Sequence, residues 1–224
     1  MSDSLQSIDW SPLLLSLKVA GVATALALVA GIALGWMFVR LRFPGSSVLE
    51  AVCMLPLVLP PTVIGYGLLV FAGRRSVAGA WLYDHLDYTI VFNWHGAVAA
   101  AAVVALPLVL KSATASFAGV DPTLEAAART LRQSPLSVFF RITLPLAWPG
   151  ILAGTLLAFA RAMGEFGATL MVAGDIPRQT QTLSMAIYDA MQAGQDHTAL
   201  LLVLATSVLS GAVMIASNRF FSLR

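Results

Sequence analysis

Apolar positions in this chain neither alternate nor fall on one narrow stripe. They come in long unbroken runs separated by short polar connections. The runs 19–39, 51–72, 89–110 and 198–218 carry no formal charge, and a fifth, 148–172, is interrupted only by Arg161 and Glu165. A helix crossing the hydrocarbon of a bilayer needs about 20 mostly apolar residues. The pattern therefore predicts five membrane-spanning helices, at 17–39, 48–72, 89–111, 148–172 and 197–218, and almost no soluble remainder. Continuous runs rather than apolar-out alternation exclude an outer-membrane barrel. The fold class is an all-α polytopic membrane protein.

Composition sharpens this. Of 224 residues, 58% are hydrophobic and 11% are charged, against about 25% charged in soluble domains. The net charge is +2. A nucleic-acid binder, a disordered chain and an ordinary cytosolic enzyme are excluded. The one cysteine, Cys53, excludes a disulfide framework and a zinc finger. The N-terminal MSDSLQSIDW has no basic residue, so the first run reads as structure rather than a cleaved signal.

Charge distribution sets an expected orientation. With the N-terminus outside, the inner connections collect Arg40, Arg42, Lys111, Arg129, Arg132, Arg141, Arg219 and Arg224. The outer side keeps Arg74, Arg75 and Arg178, with Lys18 near the outer end of the first span. The expectation is N-terminus outside and C-terminus inside. Trp10, Trp36, Trp81, Trp94 and Trp148 fall near span boundaries, as interfacial anchors do, and Lys18 reads as a snorkelling side chain. Asn93 and His95 read as a solvated helix entrance rather than a ligand site.

The connection between the third and fourth spans, 119–146, has its own pattern. Asp121-Pro122 is a helix cap with proline at the first position, and Ser134-Pro135 repeats it. Between and after them come helix formers, with Pro145 expected to stop the second helix. Two short helices outside the bilayer form either a docking element or an amphipathic hairpin lying on the membrane surface. In the second span, Pro56, Pro60 and Pro61 break the helical hydrogen bonding. Such a break persists in lipid only where protein or a water-filled cavity satisfies the freed groups. Pro60, Pro61, Thr62 and Tyr66 thus read either as a gating segment beside a translocation path or as a structural kink. Arg161 and Glu165, one turn apart, are either a pathway cation with its partner or a buried pair fixing helix registry. The registry reading is preferred, because a bare arginine would trap an anion.

The loop sequence resembles a family. Ala127-Ala128-Arg129-Thr130-Leu131, Ser134-Pro135, Phe139-Phe140 and Ile142-Thr143-Leu144-Pro145-Leu146 are similar to the cytoplasmic loop of the inner-membrane permeases of bacterial ABC importers. The register departs from the family pattern twice: the glutamate is displaced to Glu125, leaving Ala126 in its place, and the family's glycine is Arg132. Leu55–Tyr66, Gly73-Arg74-Arg75, Phe159–Ala168 and Ile176-Pro177 resemble the molybdate permeases within that family.

The resemblance implies a type-1 ABC transmembrane domain over 11–219 in a bacterial inner membrane. It implies a homodimer of permease subunits, two ATP-binding cassette subunits docking on the hairpins, and a periplasmic molybdate-binding protein. The docking residues it marks are Leu124, Glu125, Ala127, Ala128, Arg129, Leu131 and Ser134. Tungstate or sulfate transport and a non-transporting anchor role are the alternatives. No G-x-x-x-x-G-K-[ST], G-x-S-x-G or H-E-x-x-H motif occurs, so neither ATP hydrolysis nor an intramembrane hydrolase is expected in this chain. No catalytic residue, metal site, cofactor or nucleic-acid partner is expected, and membrane lipid is the surrounding medium.

Overall fold

Residues 9–41 and 43–222 are described by a computed structural model of the protein, with backbone alone for 214 and 216–222. Of the charges expected on the inner side, Arg42 and Arg224 lie outside the described residues, as does the side chain of Arg219. The described residues form helices and connections, with no strand among them. In chain order these are α1 (Ser11–Arg40), α2 (Ser46–Met54), a short 3-10 turn (Leu55–Leu57), α3 (Pro61–Ala72), α4 (Val77–Leu86), α5 (Trp94–Ala118), α6 (Pro122–Thr130) and α7 (Pro135–Val138). A π turn (Phe139–Thr143) then leads into α8 (Leu144–Met163), followed by α9 (Gly167–Ala173), α10 (Leu183–Gln192) and α11 (Asp196–Ser222).

Four helical stretches are long and apolar enough to cross a membrane: Ser11–Arg40, Trp94–Ala118, Pro135–Met163 and Asp196–Val213. The bent pair Ser46–Leu57 and Pro61–Ala72, with 114° between its halves, forms either a broken fifth span or a re-entrant segment. Three of the five expected spans thus appear as unbroken helices near the expected places.

Two others differ. The second is broken at Val58–Pro60, where Pro60 is extended (ψ 141°) and Pro61 opens a new helix. The fourth starts earlier than expected and breaks at Gly164–Phe166 before the short α9. Its early start overturns one expectation, that Pro145 ends the preceding helix. Proline has no N–H to donate and crowds the carbonyl four residues back. Here that carbonyl belongs to Arg141, inside the π turn, where the wider winding accommodates proline without ending the helix. The connections after α3 and α9 also carry helices, α4 and α10, that the apolar runs do not mark. Ser76 caps α4 by accepting the Gly79 N–H at 2.8 Å.

The core is built around α5, which packs against α1 on one side and α8 and α9 on others. In lipid there is no water to expel from between helices, so association depends on close backbone approach and dispersion. The sequence supplies this with small residues at helical spacing. Ser16, Ala20, Ala23, Thr24, Ala27, Gly31 and Gly35 form the buried stripe of α1. A Cβ at Gly31 would stand 2.7 Å from Val109 Cγ1, and one at Gly35 would stand 3.0 Å from Ala113 Cβ. On α8, Gly150 and Gly154 do the same against Ser116 and Ser112. Phe117, Ala113, Ala147 and Ile151 close the end of this core nearer residues 119–146, where Trp36 and Phe139 pack against it and edge to face with each other.

Candidate functional site

Three features identified in the sequence now acquire geometry. The first is the hairpin. Asp121 caps α6 by accepting the Thr123 N–H at 2.9 Å, and that bond holds its carboxyl below the usual carboxylate range. Ser134 caps α7 through the Ser137 N–H at 3.2 Å. Between them, the Gln133 N–H reaches the Ala128 carbonyl and Arg132 adopts φ 58°. This is a Schellman turn with Arg132 in the left-handed position where helices usually place glycine. The family's glycine at this register has its physical reason here, and Arg132 takes up the same backbone conformation.

The expected docking residues divide between two faces. Leu124, Ala127, Arg129, Leu131 and Ser134 are exposed, Leu131 at 75%. Glu125 and Ala128 are turned inward, at 6% and 7% exposure. The outward face of α6 is therefore Leu124, Ala127 and Leu131, at helical spacing. Glu125 instead accepts a charge-assisted hydrogen bond from Arg40 at the end of α1, and a second from Thr143 Oγ1 at 2.7 Å. Arg129 stands 3.9 Å from its other oxygen. Sequence reasoning missed Arg40 and Thr143, because nothing local marks partners 85 and 18 residues away.

The second feature is the pair of helix breaks. A Cβ at Gly167 would stand 2.9 Å from Pro61 Cβ, and one at Gly65 would stand 2.8 Å from Met171 Cβ. The break before α3 and the break before α9 are thus side by side, and the two half-helices pack along each other. Ile64, Ala168, Ala100 and Val104 form one buried cluster, which sets this junction about a third of the way along α5. Pro60, Pro61, Thr62 and Tyr66 are exposed in the single chain, Tyr66 at 64%. The kink and the open face coexist: Ile64 and Gly65 are buried against the bundle while Thr62, Val63 and Tyr66 face away from it.

The third feature is the charge pair. Arg161 Nη1 donates to Glu165 Oε2 at 2.7 Å, and Glu165 Oε1 accepts the Ala168 N–H at 3.0 Å. Glu165 is 3% exposed. It lies in the break rather than on α8, and it caps α9 while neutralising Arg161. Two unsatisfied groups are handled by one carboxylate. Among the described residues, no cluster of side chains has the composition of a metal site.

At the N-terminal end of α5, Asn93 accepts from the His95 N–H at 3.5 Å to cap the helix, and Lys18 Nζ lies 3.6 Å from the centroid of the Trp94 ring. Arg178 pairs with Asp9 at 3.0 Å. In the loop after α9, Asp175 is pushed up to about 6 by burial and by the neighbouring Asp189 carboxylate. Gln181 Nε2 donates to Asp189 Oδ2 at 2.8 Å.

Comparison with known proteins agrees with this architecture. The chain is 46% identical over 210 residues to the molybdenum transport system permease protein ModB of Escherichia coli (strain K12), covering 93% of this chain and 92% of that protein. It is 44% identical over 201 residues to the putative molybdenum transport system permease protein YvgM of Bacillus subtilis (strain 168), covering 90% and 88%. Among solved structures, the inward-facing MetNI methionine ABC transporter aligns at TM-score 0.75 and 16% identity over the whole of both chains. The bacterial alginate ABC transporter aligns at TM-score 0.78 and 15% identity, covering 96% of this chain and 80% of that one. Those likenesses establish the fold. Residues 27–224 match the model of the binding-protein-dependent transport system inner membrane component; with the close relatives and the helix arrangement, this chain belongs to that family of multi-pass transporter permeases.

Proposed function

We propose that this chain is the membrane-spanning subunit of an ATP-driven importer for molybdate. The observation that carries this reading is the 46% identity along 93% of the chain to a permease named for molybdenum transport. Two copies form the pore, two separate ATP-binding cassette subunits supply hydrolysis, and a periplasmic molybdate-binding protein delivers the anion. The N-terminus lies in the periplasm and the C-terminus in the cytoplasm, supported by the excess of Lys and Arg on the hairpin side.

The geometry suits this division of labour. A permease must expose a path without holding its cargo. Arg161 is already neutralised by Glu165 at 2.7 Å, so the centre of the chain offers a dianion no bare charge to trap it. The exposed side of α3, with Thr62 and Tyr66 beside the double break, lines the path and gates it by shifting the half-helix against α9. Discontinuous helices at mid-membrane serve this purpose because their free backbone groups face a cavity rather than lipid. Selectivity then belongs mainly to the delivering protein. No cofactor takes part within this chain.

The test is uptake by vesicles containing the reconstituted permease, ATPase and binding protein, with labelled molybdate, tungstate and sulfate in competition. ATP-dependent uptake of molybdate, resisted by excess sulfate, is the expected result. Uptake of sulfate in preference to molybdate, or no ATP-dependent uptake, would refute the proposal.

A further inference from the structure

Glu125 sits where three elements meet. It occupies the first turn of α6, yet only 6% of it is exposed. One oxygen accepts from Arg40, the last residue of α1, and from Thr143, the last residue of the π turn that opens α8. Thr143 is 1% exposed and Arg40 is mostly buried. Arg40 at the C-terminus of α1 and Glu125 at the N-terminus of α6 each suit the dipole of their own helix.

The ends of the hairpin's helices are satisfied by other groups. Asp121 and Ser134 already cap its helices, and the turn at Arg132 ends the first. A buried ion pair adds little net stability, because desolvation offsets the attraction, but removing one partner strands the other charge. Such a pair is strict about geometry. It holds the hairpin to α1 and to the start of α8, the helices that pack with α5.

We propose that Arg40, Glu125 and Thr143 form a clasp that makes the hairpin move as one body with α1 and α8. Displacement of the hairpin by an ATPase subunit is thereby delivered to both helices. The hairpin's other ties are covalent, through 119–121 to α5 and through the π turn to α8, and apolar, through Phe139 against Trp36 of α1 and Phe117 of α5, which do not fix orientation as a charged hydrogen bond does. Arg40 and Glu125 are positioning residues; they act through the hairpin and touch no cargo. This inference rests on reading the hairpin as the coupling element of an importer.

The experiment uses the full complex in proteoliposomes, measuring molybdate uptake and ATP hydrolysis together for wild type, Arg40→Gln, Glu125→Gln and Arg40→Lys. Both glutamine variants are expected to lower uptake per ATP hydrolysed by about tenfold, with the ATPase subunit still membrane-bound. Arg40→Lys, which keeps the charge, is expected to retain most of the coupling. Wild-type uptake per ATP in Arg40→Gln, or loss of the ATPase subunit in step with uptake, overturns the proposal.

A second readout is independent of the anion. Spin labels at Leu41→Cys and Leu131→Cys in a Cys53→Ser background report the distance between the end of α1 and the hairpin. A narrow distribution that Arg40→Gln broadens supports the clasp, even if wild type fails to move molybdate and the functional reading falls. A distribution unchanged by Arg40→Gln refutes the clasp whatever the cargo.

Discussion

The contact between α1 and α5 makes a quantitative prediction at Gly31. An alanine Cβ there would stand 2.7 Å from Val109 Cγ1, 3.0 Å from Val109 Cβ and 3.2 Å from the Leu110 backbone nitrogen. Carbon atoms pack best at about 3.5–4.0 Å, so the shortfall at Val109 Cβ is about 0.5–1.0 Å. Rotation about χ1 moves Cγ1 but not Cβ, and Val109 is wholly buried. The two helices must therefore separate, with a cost of about 1–3 kcal/mol for overpacking. Alanine also gains about 1 kcal/mol of helix propensity over glycine, which would mask part of this cost.

Gly21 on the same helix supplies the control, because a Cβ there meets nothing within 4 Å. The difference between Gly31→Ala and Gly21→Ala cancels propensity and should be about 1–3 kcal/mol. A 2 kcal/mol difference corresponds to roughly 4–8 °C in apparent Tm for a chain of this size. Thermal and SDS-induced unfolding of the purified permease in detergent read it directly. Val109→Ala in the Gly31→Ala background removes the nearest carbon and should restore about 1 kcal/mol beyond additivity. If the two glycine variants unfold alike, the close approach of α1 to α5 is wrong.

Other predictions use the same unfolding assays. Arg161→Gln strands the Glu165 carboxylate and should cost about 3 kcal/mol, the lower end for a broken buried pair because Arg161 is partly exposed; Glu165→Gln should cost less, since it keeps an acceptor for the Ala168 N–H. The exchanged pair Arg161→Glu with Glu165→Arg should not recover stability, because arginine cannot accept that bond, and full recovery would show that only the charges matter. Arg132→Gly should stabilise the hairpin by about 1 kcal/mol by relieving a left-handed non-glycine residue, and a loss of stability would contradict the Schellman turn. Asp175, raised from 3.8 to about 6, binds a proton more tightly folded than unfolded. Its stabilising contribution is complete below pH 3.8 and disappears as the pH rises through about 6. Asp175→Asn should therefore flatten the fall in apparent Tm across that window, and an unchanged pH profile would rule out this role.

What the sequence determined by itself was whatever depends on neighbours along the chain. Twenty apolar residues in a row must become a helix in lipid, because no other local conformation satisfies the backbone. Unbroken spans at α1, α5 and α11 follow from that alone. Asp121-Pro122 and Ser134-Pro135 cap their helices because a cap needs only the next few residues. The prolines at 56, 60 and 61 marked a break for the same reason, and the loop motif carried the family.

Tertiary structure decided what depends on residues brought together from afar. Pro145 has the local character of a helix stop, yet a π turn held by packing at Phe139 and Thr143 lets the helix continue. The break at Gly164–Phe166 was hidden in an apolar run, since hydropathy measures transfer into lipid and not continuity of hydrogen bonds. Its proximity to Pro61 came only with the packing of α3 on α9. Glu125 showed the largest change of meaning. On an amphipathic hairpin a glutamate reads as a surface residue, and only the approach of Arg40, 85 residues away, supplies the charge that lets it be buried.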